Sequence, residues 1–182
     1  MRRGGSIEED VPHRDFEQVV VPHLDAAFNY ARWLTKNDVD AEDVVQEAAI
    51  RALRFFSSLR NDDARAWLLT IVRNTWYGRV TKAGNAERTG VYDEMTDARH
   101  DDALGPEALA LQQQTVEQVQ RAVEELPADF REVIVLRELE GLSYKDIAAV
   151  VGVPVGTVMS RLSRARERLL TILKPVVDGG CA

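Results

Sequence analysis

The apolar residues of this chain recur every three to four positions over most of its length, a spacing typical of amphipathic helices, and no stretch is plausible as a strand. Three helical stripes fall within 13–80, and four more fall within 107–174. The stretch between them, 81–106, has few apolar residues and no period. The pattern therefore predicts an all-α protein, in which a flexible linker joins two small helical domains.

Each helix of the first block has one apolar face that can pack against its neighbours. The first helix is predicted to end near Lys36 and to bury Phe16, Val20, Ala27, Ala31 and Leu34. The second opens in the acidic stretch 38–43, where carboxylates favour the helix dipole, and is predicted to bury Val45, Ala49, Ala52, Leu53 and Phe56. The third covers 64–80 and is predicted to bury Leu68, Ile71, Val72 and Thr75.

The opposite face of the second helix brings an isoleucine together with charged and amide side chains. Its members are Asp43, Gln46, Glu47, Ile50 and Arg54. An apolar centre with a polar rim is typical of a partner surface. Single exposed apolar residues are also normal on any protein surface. Periodicity alone leaves both interpretations open.

The third helix has basic, amide and aromatic side chains on its outer face. These are Thr70, Arg73, Asn74 and Tyr77, with Trp67 and Trp76 on the two flanks. Such side chains can pair with phosphates and stack on unpaired bases, as single-stranded nucleic acid requires. The tryptophans could instead belong to the core, and this alternative is the favoured one for Trp67.

Near the C-terminus, the stretch 143–169 has the layout of a helix-turn-helix. Ser143 can cap the first of its helices, and Asp146 can return the bond to the backbone. Gly152 stands where a left-handed residue must end that helix, and Pro154 stands where the next one begins. The turn chemistry thus marks both helix ends.

The second helix of this motif has an apolar stripe, predicted to pack inward, formed by Val158, Leu162, Ala165 and Leu169. Its predicted outward side chains are Thr157, Ser160, Ser163 and Arg164, with Arg161 and Arg168 on one flank. Hydroxyl and guanidinium groups on an outward face hydrogen-bond to base edges and phosphates. A plain solvated face is the alternative, because arginines near a helix C-terminus also favour the helix dipole.

Charge narrows the kind of nucleic-acid binding that these faces can support. The 182 residues have a formal net charge of −7. A protein that coats nucleic acid nonspecifically neutralises many phosphates with Lys and Arg, which this balance disfavours. Positive charge is nevertheless concentrated in 155–174, which has five basic residues and only one acidic residue, Glu167. This distribution suits a weak DNA binder that gains affinity from a larger partner.

Other features argue against secretion, metal binding and catalysis. The N-terminus has no apolar run of a secretory signal and no stretch is long enough to span a membrane, so a cytoplasmic location is expected. The single Cys181 excludes an internal disulfide. The three histidines, His13, His23 and His100, lack metal-ligand spacing, and no glycine loop could cradle a phosphate. We therefore expect no metal, no cofactor and no enzymatic activity.

Three separated segments in one order resemble the extracytoplasmic-function sigma factors, the minimal two-domain members of the sigma-70 family. The segments are DAEDVVQEAAIRAL at 40–53, RAWLLTIVRNTWYGRV at 65–80, and the long stretch from LPADF to RERL at 126–169. The resemblance implies a sigma region 2 at 13–80, an acidic linker at 81–106 and a winged-helix-like region 4 at 107–174. It also implies an alternative sigma factor that binds core RNA polymerase and initiates transcription at particular promoters.

The resemblance implies roles for individual residues as well. Core polymerase, through the clamp helices of its largest subunit, would contact Asp43, Gln46, Glu47 and Ile50, while the flap of the second subunit would meet region 4. The −10 element would be recognised and melted by Asn61, Arg73, Asn74 and Tyr77. The −35 element would be read by Thr157, Ser160, Arg161, Ser163, Arg164 and Arg168. An anti-sigma factor is an expected partner.

Two points stay open at the level of the sequence. The acidic linker could mimic a nucleic-acid strand inside a positively charged channel, or it could be a soluble tether. A stand-alone helix-turn-helix regulator is the alternative function. Such regulators usually dimerise on two-fold operators, and the sequence has no dedicated dimer helix.

Overall fold

The computed structural model describes residues 16–59, 63–82 and 106–178. All regular structure in these ranges is helical, and the helices form two compact units along the chain. The all-α prediction with two helical domains is therefore confirmed for the described ranges, and no β wing accompanies the helix-turn-helix within them. Asn61, nearly all of the predicted linker and Cys181 lie outside the described residues.

The first unit is a bundle of three helices, each in contact with the other two. Helix α1 covers Leu24–Thr35, α2 covers Asp38–Phe55 and α3 covers Ala64–Lys82. A 3-10 turn at Val21–His23, which contains Pro22, separates α1 from the helical turn at 16–19. The first predicted stripe is thus split between two short pieces.

One backbone cap and two side-chain caps mark helix ends in this bundle. Lys36, with a left-handed φ of 57°, ends α1 as predicted. The side chain of Asn37 then accepts a hydrogen bond from the backbone N–H of Asp40 at 3.0 Å, which caps α2. The carboxylate of Asp63 caps α3 in the same way, since it accepts from the backbone N–H groups of Arg65 and Ala66 at 3.0 and 3.3 Å.

The core of the bundle corrects the predicted inward face of α2. The side chains that α2 buries are Ala41, Val44, Ala48 and Ala52, so of the predicted set only Ala52 is buried. Leu53 is 43% exposed, and Phe56 is half-buried, where its ring meets Phe16 edge to face at 5.5 Å. Three of the four side chains that α2 buries are alanines, whose small size allows helices to approach closely. The prediction was wrong because it assigned the larger apolar side chains to the core.

The other two stripes of the bundle were predicted more accurately. Val20, Ala27, Ala31 and Leu34 are buried as expected, around a fully buried Tyr30. In α3, Leu68, Val72 and Thr75 are buried as expected. Leu69, which was not predicted, is also buried, whereas Ile71 is only half-buried.

The second unit contains four α-helices and a π-helical segment. Helix α4 covers Pro106–Glu124, α5 covers Ala128–Ile134, α6 covers Tyr144–Val151 and α7 covers Val155–Asp178. The predicted single helix at 128–140 is continued after α5 by the π-helical segment Val135–Leu139. Gly141, with φ of 65°, lies just beyond it and allows the reversal that L side chains resist. Helix α7 packs against α4 and α5.

Arg131 hydrogen-bonds to the backbone where the chain passes from α4 to α5. Its guanidinium Nη1 donates to the carbonyl oxygens of Glu124 at 3.0 Å and Leu126 at 3.3 Å. These carbonyls lie at the end of α4, where backbone acceptors lack helical partners. The buried arginine therefore satisfies the carbonyls where Pro127 interrupts the chain.

Within the described residues, no single helix is both long and apolar enough to cross a membrane. Helices α6 and α7 meet that test of length and composition only when taken together, and they are bent by 99° at the break between them.

Candidate nucleic-acid interface

The turn between α6 and α7 has the geometry of a helix-turn-helix, in which two helices meet at roughly 90–120°. The angle here is 99°. Ser143 caps α6 by accepting from the backbone N–H of Asp146 at 3.2 Å. The Asp146 carboxylate accepts from the Ser143 hydroxyl, not from the backbone as the sequence suggested. Gly152 ends α6 with φ of 71°, and its N–H donates to the Ala148 carbonyl at 2.9 Å.

Helix α7 turns its apolar stripe inward as predicted. Val158, Leu162 and Ala165 are buried, and Leu169 is half-buried. The exposed predicted contacts are Ser160, Ser163, Arg164 and Arg168, while Thr157 and Arg161 are half-buried. The predicted face is therefore largely open to a ligand.

Two ion pairs hold α7 against the rest of its unit. Arg161 contacts the carboxylate of Asp129 at 2.7 Å, and its side chain is only 22% exposed. Arg166 contacts Glu138 at 2.7 Å, a hydrogen bond that raises the pKa of Arg166 above its ordinary value. The structure thus places the guanidinium of Arg161 in an intramolecular pair, and its predicted contact with DNA stays a prediction.

Arg164 and Arg168 lie one helical turn apart and line a shallow groove of about 350 Å³. Phe130 of α5 forms its other side, and Glu167 and Thr171 complete the lining. The groove between α5 and α7 thus has two arginines and one glutamate beside an aromatic residue, and its arginines could bind a phosphate backbone.

Sequence reasoning missed two exposed apolar residues in the first turns of α7. Val155 is 41% exposed and Met159 is 54% exposed. The available signal was their position, since they interrupt an otherwise polar surface outside the inward stripe.

The outer surface of α3 combines an amide with an arginine stacked on a tyrosine. Asn74 is exposed, and the Arg73 guanidinium lies 4.6 Å from the centroid of the Tyr77 ring. A cation above a ring face is attracted to it, so the pair offers a flat surface. Trp67 and Trp76 are both half-buried, so the core alternative for Trp67 holds only in part.

The outer face of α2 has an apolar centre. Asp43, Gln46 and Ile50 are exposed, and Ile50 is exposed by 55%. Val39 and Leu53 are further exposed apolar residues of α2 that the sequence analysis did not assign to this face. Leu53 lies about one turn from Ile50 and joins it in the apolar centre of this face, whose polar rim is typical of an interface. Val39 lies on the same side of α2, about three turns nearer its N-terminus.

Glu47 differs from its neighbours on this face because its carboxylate is already paired. Arg79 of α3 donates from Nε to Glu47 Oε2 at 2.7 Å and from Nη2 to the Asp43 carbonyl at 3.0 Å. Arg51 binds the other carboxylate oxygen. The hydrogen bond from Arg79 holds the pKa of Glu47 below its ordinary value. Glu47 therefore connects α2 to α3, a link that the sequence did not indicate.

Among the described residues, no three His, Cys, Asp or Glu side chains are grouped closely enough to hold a metal ion.

A helix-turn-helix unit, preceded by a helical bundle with an apolar-centred face, defines a helical DNA-binding protein of two units. Family models for Sigma-70 region 2 and Sigma-70, region 4 match residues 19–86 and 116–169, respectively. The chain belongs to the sigma-70 family, and within it to the extracytoplasmic-function sigma factors.

Relatives of this group match over most of their length. The chain is 40% identical to the ECF RNA polymerase sigma-E factor of Escherichia coli K12 over 146 residues, 76% of each chain. It is 38% identical to the RNA polymerase sigma-H factor of Pseudomonas aeruginosa over 145 residues, 76% of this chain and 75% of the relative.

Solved structures give the same assignment. The sigma factor RpoE of Bartonella quintana, in complex with the anti-sigma factor NepR, superposes with a TM-score of 0.72 at 31% identity, covering 88% of this chain and 98% of that one. CnrH, in complex with the cytosolic domain of CnrY, superposes with a TM-score of 0.62 at 27% identity and covers 90% of each chain.

Proposed function

We propose that this chain is an alternative sigma factor that binds core RNA polymerase, directs it to promoters with −35 and −10 elements, and melts the −10 element. The observation that carries the proposal is the occurrence of sigma region 2 and sigma region 4 in order within one chain. A stand-alone regulator is not favoured, because it would need the helix-turn-helix but not the preceding bundle. We assign no enzymatic activity to the chain itself, and we place it in the cytoplasm with the polymerase.

The outer face of α2 is the proposed surface for the clamp helices of the largest polymerase subunit. Ile50 supplies its apolar centre, and Asp43 and Gln46 supply a polar rim. Glu47 acts through its ion pair with Arg79, which links α3 to α2 at the edge of this face. The second unit would contact the flap of the second polymerase subunit.

The outer surface of α3 is the proposed contact for the melted −10 element. Asn74 can hydrogen-bond to the edge of an extruded base, and Tyr77 with Arg73 can stack on the strand. Asn61 is assigned to the same contact from the sequence resemblance alone. Extruding a base costs a few kcal/mol, which these contacts would offset.

Helix α7 is the proposed reader of the −35 element. Its proposed contacts include the exposed residues Ser160, Ser163 and Arg164, with Thr157 at the first turn and Arg168 beside the groove. The net charge of −7 keeps binding by this helix alone weak. Selectivity would follow when polymerase fixes the distance between α7 and α3. An anti-sigma partner is proposed because the RpoE and CnrH structures hold partner proteins, one of them an anti-sigma factor by name.

In vitro transcription with core RNA polymerase tests this function. A promoter mapped after overexpression of the chain should give a defined transcript with core enzyme plus the chain, and none with either alone. Scrambling the −35 or the −10 bases should each abolish the transcript. Absence of any promoter-dependent transcript would rule out the sigma-factor assignment.

Replacing Arg164 with alanine should weaken recognition of the −35 element by about 1–3 kcal/mol and relax the base preference at one position. The exposed guanidinium can bind two acceptors on a guanine edge. Competition binding of holoenzyme to promoters with each −35 base changed measures the effect. Lys174→Ala, a change of an exposed cation on the same helix, is the matched control. Weaker binding with an unchanged base preference would show that Arg164 contacts only phosphate.

Replacing Asn74 with alanine should slow promoter opening about tenfold, the effect of one lost hydrogen bond at the upper end of the usual range, with duplex binding nearly unchanged. Permanganate footprinting of unpaired thymines measures opening, and a template with a pre-melted −10 element should restore transcription. Thr70→Ala is the control, because the Thr70 hydroxyl already bonds the Ala66 carbonyl. Equal defects on duplex and pre-melted templates would contradict a role in opening.

A further inference from the structure

The exposed side of the first turns of α7 is part apolar. Met159 is the fifth residue of the helix and 54% exposed, and Val155, one turn earlier, is 41% exposed. Ser160 and Ser163, which are also exposed, adjoin Met159. An i,i+4 relation places Met159 and Ser163 on the same stripe of the helix surface.

The orientation of α7 about its axis is fixed by contacts on either side. The buried stripe of Val158, Leu162 and Ala165 faces the core. The pair Arg161–Asp129 and the pair Arg166–Glu138 tie the flanks to α5 and to the π-helical segment. Met159 therefore stays outside the packed stripe, on the half of a recognition helix whose residues contact base edges.

The major groove presents one apolar group to a protein, the C5-methyl group of thymine. An exposed methionine among hydroxyl groups matches that group in polarity, and its flexible thioether chain can adapt to the exact position of the methyl. Ser160 already donates its hydroxyl hydrogen to the Thr157 carbonyl at 3.0 Å, so next to Met159 it offers only an acceptor oxygen. A lone exposed apolar residue would be ordinary on a surface, but Met159 lies among the groups assigned to base reading.

We propose that Met159 is a specificity-determining residue that contacts the C5-methyl group of a thymine in the −35 element. The inference rests on the proposed function of α7 and adds one position to its contacts. Val155 borders the same contact from the preceding turn. A −35 element read in this way contains a thymine on one of its strands opposite the N-terminal half of α7.

Replacing thymine by uracil removes the methyl group and changes no hydrogen-bonding edge. Holoenzyme formed with the wild-type chain should bind a −35 element with uracil at the critical position about fourfold more weakly, the value expected for one buried methyl group. With Met159→Ala, thymine and uracil promoters should bind equally. Met159→Leu keeps an apolar side chain and should retain most of the discrimination.

Each thymine of the −35 element, on both strands, is replaced singly, and promoter affinity is measured by competition against the unmodified promoter. Leu170→Ala is the matched control, because Leu170 is an exposed apolar residue of the same helix, 63% exposed, and should leave the uracil effect intact. Melting temperatures of all variants verify folding.

Three results would overturn the proposal: a −35 element without thymine, uracil substitutions without effect on wild-type holoenzyme, or an unchanged uracil effect in Met159→Ala. A scrambled −35 element tests the underlying function separately. If scrambling has no effect on transcription, −35 reading itself is refuted. If scrambling abolishes transcription and uracil does nothing, only the role of Met159 is refuted.

Discussion

Ile50→Asp is expected to weaken assembly with core RNA polymerase at least about thirtyfold, the effect of losing an interface residue worth 2 kcal/mol or more. Ile50 is 55% exposed at the centre of the outer α2 face, between polar residues that exclude water when a partner is bound. A carboxylate at this position would be buried without a partner on assembly, a cost added to the lost apolar contact. Fluorescence anisotropy of labelled chain titrated with core enzyme measures the dissociation constant.

Two comparisons separate this effect from misfolding. Val21→Asp changes a different exposed β-branched residue, 44% exposed in the 3-10 turn before α1, and should leave the dissociation constant unchanged. The far-ultraviolet circular dichroism of Ile50→Asp should match the wild type, because the side chain is not in the core. Wild-type affinity in a folded Ile50→Asp variant would show that the polymerase binds elsewhere.

Leu162→Ala should lower the free energy of unfolding of the second unit by about 2–5 kcal/mol. Leu162 is 1% exposed and lies in the middle of the apolar stripe that packs α7 against its unit. Truncation of this side chain therefore leaves a cavity that the neighbouring helices cannot fill. Urea denaturation followed by circular dichroism measures the change, since both units are helical.

The tryptophans identify the unit that is affected. All three, Trp33, Trp67 and Trp76, lie in the first unit, so their fluorescence follows the unfolding of that unit. Leu162→Ala should shift the circular dichroism transition more than the fluorescence transition. Leu170→Ala removes an exposed leucine of the same helix and should shift neither. A shift of equal size in both signals would contradict a defect confined to the second unit.

The helix-turn-helix was predictable because its ends depend on local chemistry. Ser143 caps α6 through a residue three positions away, and Gly152 ends it by adopting a backbone conformation that other residues resist. The inward stripe of α7 follows from a period of 3.6 residues. No distant contact is needed for any of these features, so the sequence sufficed.

The inward face of α2 was mispredicted because burial there depends on neighbouring helices. Val45 and Ala49 have the spacing of a buried stripe, yet they are half-buried, and the alanines at 41, 48 and 52 fill the contact with α1 and α3. A prediction from hydrophobic periodicity places the most apolar side chains in the core, whereas closely packed helices favour small side chains at their contact. The pattern alone could not choose between two adjacent stripes.

The candidate sites divide in the same way. The sequence determined which helices carry polar and aromatic groups on their outer faces, because helical spacing places Asn74 with Tyr77, and Ser160 with Arg164, whatever the surroundings. Only the tertiary structure decided which charged groups remain available. Arg161 and Glu47 are charged residues of the kind that contacts a partner. Within the chain, however, Arg161 is already paired with Asp129 and Glu47 with Arg79, each 32 residues away in sequence. Ion pairs between distant helices depend on how the chain packs, and packing also left Met159 exposed on the surface of α7.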